Sequence, residues 1–176
     1  MLNDNATLVN KLSYEHEVMK RWLGGLRASV DEEEAVFVKQ AIEQDVSRLQ
    51  AVVQKQYNLL QSLMSFTAGI AEHAEREACI FPLLVGDTLA QGLVLEHQEI
   101  RAELSRIKSL LVGMDMKNSS REDLLFRSYD LRHATDRICH LMYVHMAKED
   151  AILDLLKKVF NNSQVKAPSV TEKQFA

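Results

Sequence analysis

Two stretches of the sequence contain a histidine and a glutamate separated by three residues, His73-x-x-x-Glu77 and His145-x-x-x-Glu149. On an α-helix, residues four apart are rotated by only about 40° and lie about 6 Å apart along the axis, so each pair points its imidazole and carboxylate in one direction. The stretches also match at the aliphatic positions that follow, which are Ile80, Leu83 and Leu84 in the first and Ile152, Leu155 and Leu156 in the second. The spacing therefore predicts one helical element used twice, each copy able to contribute to a metal site.

A second matched pair precedes each of these stretches. Glu15-His16 lies upstream of the first and Glu96-His97 upstream of the second, and each histidine has a basic residue four positions later, Lys20 or Arg101 in turn. The order is thus a histidine followed by His-x-x-x-Glu, repeated once. This order predicts one ligand set on each of four helices, arranged as two similar hairpins.

The composition favours a single globular domain. The chain has 176 residues, of which 47% are hydrophobic and 26% charged, and this provides enough apolar area for a core. We expect one domain over residues 1–160 and a frayed polar tail over 161–176. The two cysteines, Cys79 and Cys139, are too few for a disulfide framework and are expected to be small buried side chains.

The charge and hydropathy patterns exclude several classes of partner. A net charge of −4 is unsuited to neutralising the phosphates of a nucleic acid or an anionic membrane surface. The longest uninterrupted apolar run, 78–85, is far shorter than the roughly 18 residues that a membrane span needs. The first ten residues lack a basic region followed by an apolar one, so we expect a cytoplasmic protein.

The fold class predicted is all-α, as an up-down four-helix bundle. Glycine and proline are scarce, and no stretch alternates apolar and polar residues as a half-buried strand would. Capping and turn signals place the four helical regions at about Asn5–Ser29, Asp31–Leu84, Thr88–Val112 and Arg121–Phe160. Asp31 with Glu34 resembles a capping box, and Thr88 is expected to cap the third helix.

These boundaries give an elongated second helical region. Its 42 residues between Asp31 and His73 exceed the 13 between His16 and Ser29, and its apolar spacing continues through the excess. The unmatched apolar positions are Ile42, Val46, Leu49 and Val53. Either the region breaks near Asp45–Ser47 and folds back, or a second copy of the chain covers it as a homodimer.

Four imidazoles and two carboxylates at one level of a bundle can bind two metal ions. Each ion would take two histidines, both glutamates would bridge the ions, and an open position would remain for a small ligand. Nitrogen and oxygen donors without thiolate suit iron, with manganese or zinc possible. The predicted ligands are His16, His73, Glu77, His97, His145 and Glu149. The two other histidines, His133 and His140, lie elsewhere around the helix and are not expected to bind.

The ordered motif, spread over about residues 10–160, resembles that of the hemerythrin-like or HHE cation-binding proteins. That resemblance implies a non-haem di-iron site with an oxo or hydroxo bridge and O2, NO or peroxide as its small ligands. Oxygen-carrying hemerythrins have a fifth histidine where this chain has Arg101, and their last carboxylate lies five residues from its histidine instead of four. The chain is therefore more similar to the four-His, two-Glu branch that includes proteins for repair of iron centres, although it lacks their N-terminal segment with a cysteine pair.

The function expected from this resemblance is binding of, or reaction with, O2, NO or peroxide in sensing or stress response. One alternative is a di-iron enzyme that oxidises Fe(II) or decomposes peroxide, or a protein that repairs iron centres or handles iron. A third is a helical interaction module. The ligand pattern is compatible with each of them, because the same primary ligands support binding and catalysis.

Overall fold

Four long α-helices account for nearly all of the described chain, and no strand occurs in it. The computed structural model describes residues 2–43, 49–113 and 119–165. The helices are α1 (Leu2–Glu43), α2 (Leu49–Val85), α3 (Asp87–Val112) and α4 (Arg121–Val165). α1 and α3 each pack against both α2 and α4. The protein is an all-α four-helix bundle, which confirms the predicted fold class.

A single residue, Gly86, joins α2 to α3. Its φ of 86° lies in the left-handed region, which glycine adopts without the steric cost that a Cβ would bring. Gly86 also occupies the N-cap position of α3, and no side chain caps that helix, so the predicted cap at Thr88 is wrong. The predicted extent of the third helix is otherwise confirmed to within one residue.

The predicted boundary between the first and second helical regions is wrong. α1 continues through Ser29 and the supposed capping box at Asp31 to Glu43. The adjacent glycines Gly24 and Gly25 are both on the exposed face, where each weakens a helix by only about 1 kcal/mol. The buried face is not interrupted there and continues through Leu23, Leu26, Val30 and Glu33. Tertiary packing therefore overrides the local stop signal.

Because α1 extends to Glu43 and α2 begins only at Leu49, the protein has no elongated second helical region. From His16 to Glu43 is 27 residues, and from Leu49 to His73 is 24, so the two helices extend similar distances below the histidines. α1 ends at Glu43 and α2 begins at Leu49, and the predicted break at Asp45–Ser47 and the apolar Val46 lie outside the described residues. The unmatched turns that motivated a homodimer therefore do not exist, although Ile42 and Val53 are exposed. The oligomeric state stays a prediction.

A capping box lies at the N-terminus of α4. The Ser120 hydroxyl accepts a hydrogen bond from the backbone N–H of Asp123 at 3.1 Å, and the Asp123 carboxylate accepts one from the Ser120 backbone N–H at 3.4 Å. α4 begins at Arg121 as predicted but extends to Val165. Residues 161–165 of the expected frayed tail are therefore helical, and the rest of that tail lies outside the described residues.

Two apolar clusters fill the interior and lie along the bundle axis. The smaller one includes Val9, Leu12, Phe81, Leu93 and Leu153 and lies near the α2–α3 turn. The larger one includes contributions from all four helices and extends toward the opposite end. On each helix the predicted ligand residues lie between the two clusters in sequence, except that Met146 of the larger cluster follows His145. The polar site is therefore enclosed by apolar layers. Within the described ranges, no helix has the length and apolarity needed to cross a membrane.

Candidate metal centre

The structure brings all six predicted ligand residues together in the interior. Their exposed fractions do not exceed 5%. They form two four-residue groups that share both glutamates, and the ligand atoms within each group lie within 4.8 Å of one another. We call His16, His73, Glu77 and Glu149 the first half-site. Glu77, His97, His145 and Glu149 form the second half-site. These buried clusters could hold metal ions.

In the first half-site, each imidazole has a carboxylate oxygen close to its Nε2. The Nε2 of His16 is 3.1 Å from Oε2 of Glu149, and the Nε2 of His73 is 2.7 Å from Oε1 of Glu77. The crossed distances are 3.7 Å from His16 to Glu77 and 4.0 Å from His73 to Glu149. All four side chains therefore direct donor atoms at one small volume.

The second half-site repeats this arrangement. The Nε2 of His97 is 3.2 Å from Oε2 of Glu77, and the Nε2 of His145 is 3.1 Å from Oε1 of Glu149. The two Nε2 atoms are 2.8 Å apart. Donors that each lie about 2.1 Å from one ion are roughly 3 Å from one another, so these separations are of the size that a shared cation requires.

Each glutamate presents one oxygen to each half-site. Glu77 directs Oε1 toward His16 and His73 and Oε2 toward His97. Glu149 directs Oε2 toward His16 and Oε1 toward His145. This is the orientation of a carboxylate that bridges two ions.

The same atoms are short of hydrogen bonds. Although the nitrogen–oxygen distances are as short as 2.7 Å, they do not have the geometry of hydrogen bonds. Both carboxylate oxygens of Glu77 and of Glu149, and the Nε2 atoms of His16 and His73, are therefore buried without a hydrogen-bond partner. Buried polar atoms of this kind destabilise a fold unless something satisfies them. These six nitrogen and oxygen atoms converge at the separations expected of ligands to shared cations. Nitrogen and oxygen ligands are suitable for iron, manganese or zinc.

Outer carboxylates hold three of the four histidines from behind. The Nδ1 of His16 is 2.6 Å from Asp150, that of His73 is 2.8 Å from Glu15, and that of His145 is 2.9 Å from Glu96. Such contacts fix the ring orientation and direct Nε2 at the site. Each of these carboxylates also contacts a cation, namely Lys20 for Asp150, Arg76 for Glu15 and Lys148 for Glu96.

Sequence reasoning did not assign these supporting roles. Glu15 and Glu96 stand out in the sequence because each directly precedes a predicted ligand in the repeat. Each one, however, holds a histidine on a different helix, so the adjacent pair gives no indication of the true partner. Lys20, the basic residue four positions after His16, contacts Asp150 at 2.9 Å and so places a positive charge beside the carboxylate that supports His16.

The site charges shift the pKa values of its members. Burial by itself lowers the pKa of His16 and His73, but the surrounding carboxylates raise these values to about 9 and about 10. Burial raises the pKa of Glu77 and Glu149, whereas the contacting histidines hold both well below the usual range. The buried carboxylates thus favour positive charge beside them, which protons or metal ions can supply.

The remaining predictions about single residues have mixed outcomes. His133 and His140 are exposed on α4, as expected of residues off the ligand face. Cys139 is buried as predicted, but Cys79 is exposed, so the expectation of burial is wrong for that residue. It follows Glu77 by two positions, and on a helix this spacing turns it away from the interior.

Comparison of the chain with models of protein families, with curated proteins and with solved structures found no match in any of the three. The function is therefore inferred from the geometry and chemistry of the site.

Proposed function

We propose that this chain is a hemerythrin-like, non-haem di-iron protein that binds or reacts with O2, NO or peroxide, in sensing or in the response to oxidative or nitrosative stress. The observation that carries the proposal is the orientation of Glu77 and Glu149. Each carboxylate divides its two oxygens between the half-sites, and all four oxygens lack hydrogen bonds. A single ion would need only one such oxygen from each, whereas two bridged ions use both.

The choice of iron rests on two supports. Nitrogen and oxygen donors without thiolate are compatible with it, and the order of ligands resembles the HHE proteins. When bound, the iron pair would supply reversible redox chemistry and an open position for a small ligand. The chain's own contribution is to supply two histidines to each ion, to orient three of the rings through outer carboxylates, and to exclude bulk water with apolar layers.

Metal analysis tests the proposal directly. We expect about two irons per chain, from the count of half-sites, with charge-transfer absorption typical of a bridged ferric pair. Glu77→Ala removes one bridge and should lower the occupancy of both ions together. Glu75→Ala, an exposed position two residues away on the same helix, is the matched control. Loss of only one ion from Glu77→Ala would contradict the bridging role.

Turnover separates the proposed function from its alternatives. A protein that binds one equivalent of NO or O2 per site and then stops supports binding or sensing. Consumption of many equivalents of peroxide or Fe(II) per site supports the alternative of a di-iron enzyme instead. A well-folded, metal-free protein whose spectrum and stability do not change on addition of Fe(II) would leave only the helical interaction module.

A further inference from the structure

The two half-sites differ at one outer position. The internal repeat relates Glu149 to Glu77, and therefore Asp150 to Ala78. Asp150 accepts a hydrogen bond from Nδ1 of His16, but alanine has no group to do the same for His97. Among the described residues, Nδ1 of His97 has no hydrogen-bond partner, although the equivalent atoms of the other three histidines each contact a carboxylate.

A cavity lies beside the unsupported histidine. It occupies about 250 Å³ between the end of α2 and the start of α3, and both Glu77 and His97 form part of its wall. The rest of the wall is mostly apolar, with Asp87 and Gln91 as its other polar residues. The apolar lining consists of Ala78, Phe81, Pro82, Ala90, Leu93 and Val94. The cavity therefore connects the surface of the bundle to two ligand residues of the second half-site.

We propose that the second half-site is the one that accepts an exogenous ligand, and that a neutral diatomic molecule such as O2 or NO reaches it through this cavity. This inference rests on the proposed function and narrows its ligand class. An apolar wall favours a neutral, weakly hydrated molecule over peroxide, which would lose hydrogen bonds to water on entry. The carboxylate of Asp87 in the cavity wall disfavours the entry of small anions by charge repulsion.

The first half-site lacks the same opening at the corresponding position. Asp150 fills the place of Ala78, and its second oxygen is held by Lys20 at 2.9 Å. A larger cavity of about 390 Å³ between α1 and α2 does touch His73, but that histidine is the one primary ligand in its wall. Glu15, which contacts Nδ1 of His73, and Arg76, which contacts Glu15, also line this cavity, and neither Glu77 nor Glu149 is part of its wall.

Oxygen-induced paramagnetic broadening in NMR tests the route without using any activity. The full-length protein is loaded with zinc, which is diamagnetic, and the methyl resonances are recorded with and without dissolved O2. Ala90 and Leu93 line the cavity, and the repeat relates them to Val9 and Leu12 in the other half. All four are at least 95% buried. We expect greater broadening at Ala90 and Leu93 than at Val9 and Leu12.

A variant that fills the cavity provides the second measurement. Ala78→Leu adds bulk to the wall at an exposed helical position, and it should abolish the excess broadening at Ala90 and Leu93. It should also slow NO binding to the di-ferrous protein in stopped-flow measurements. Ala102→Leu, on an exposed part of α3 outside the cavity wall, should change neither result.

The outcomes distinguish this inference from the proposed function. If neither zinc nor iron binds, the proposed function and this inference are both wrong. If the metals bind but broadening is equal in the two halves, or if Ala78→Leu binds NO as fast as the unmodified protein, the cavity is not the route and only this inference fails. Greater broadening at Val9 and Leu12 than at Ala90 and Leu93 would assign ligand entry to the first half-site instead.

Discussion

Glu33 is buried where a carboxylate is costly, and replacing it with glutamine should stabilise the protein at alkaline pH. The side chain is 2% exposed and neither carboxylate oxygen has a hydrogen-bond partner. It forms part of the wall of a cavity of about 260 Å³ with Lys55 and Asn58 of α2. Burial raises the pKa of Glu33 to about 7, although the charge of Lys55 lowers it in part.

The direction and size of the effect follow from that pKa. In the unfolded chain the carboxyl loses its proton near the ordinary value of 4.5, whereas in the folded protein it keeps the proton up to about 7. The folded state therefore binds more protons between these values, and stability falls as the pH rises through that window. The rise from 4.5 to about 7 corresponds to roughly 3 kcal/mol of lost stability above pH 7.

Urea denaturation followed by circular dichroism at pH 4.5, 6, 7 and 8 would measure this. Glu33→Gln should match the unmodified protein at the lowest pH and exceed it by roughly 3 kcal/mol at pH 8, because glutamine cannot ionise. Glu32→Gln, at a side chain that is 75% exposed, is the control and should show no such gain. An advantage for Glu33→Gln that is the same at every pH, or none at pH 8, would refute the assignment of a buried ionising carboxyl.

Two further perturbations test the supporting shell and the core. Asp150→Asn removes the anionic partner of His16 and should weaken metal binding by about tenfold or more in competition with a chelator, whereas Asp154→Asn on the exposed side of α4 should not. Leu63→Ala opens a cavity at a position that is 1% exposed and should cost about 2–5 kcal/mol in chemical denaturation. Met64→Ala, at 46% exposure, should change stability by less than about 0.5 kcal/mol.

The convergence of the six ligands was predictable because it depends on local geometry repeated along the chain. A four-residue spacing fixes the direction of a His–Glu pair on any helix, and the short turn at Gly86 sets the level of Glu77 against that of His97. Both lie a similar number of residues from that turn, so their meeting needs no knowledge of the rest of the fold. That these residues bind metal stays a prediction.

The helix boundary near Asp31 could not be predicted in the same way. Two glycines followed by an aspartate are typical of a helix end, but Gly24, Gly25 and Asp31 are equally compatible with the exposed face of a continuous helix. Only the continued burial of Val30 and Glu33 against other helices decides between the two, and that is a tertiary property. The contacts between the outer carboxylates and the histidines could not be predicted from the sequence either, because Glu15 supports His73 across 58 residues of sequence.

The divergence of the two halves suggests a final substitution, Ala78→Asp, which should make the second half-site like the first. Lys20 holds Asp150, and the repeat places Arg101 where Lys20 stands; Arg101 is exposed and has no outer carboxylate at position 78 to contact. A carboxylate introduced there could accept a hydrogen bond from Nδ1 of His97 and attract Arg101. Since an outer carboxylate increases the basicity of a metal-binding imidazole, the second ion should be held about tenfold more tightly in chelator competition. NO binding should become slower at the same time, because the same side chain narrows the cavity. Tighter metal with unchanged NO kinetics would separate the two effects and argue that the ligand enters elsewhere.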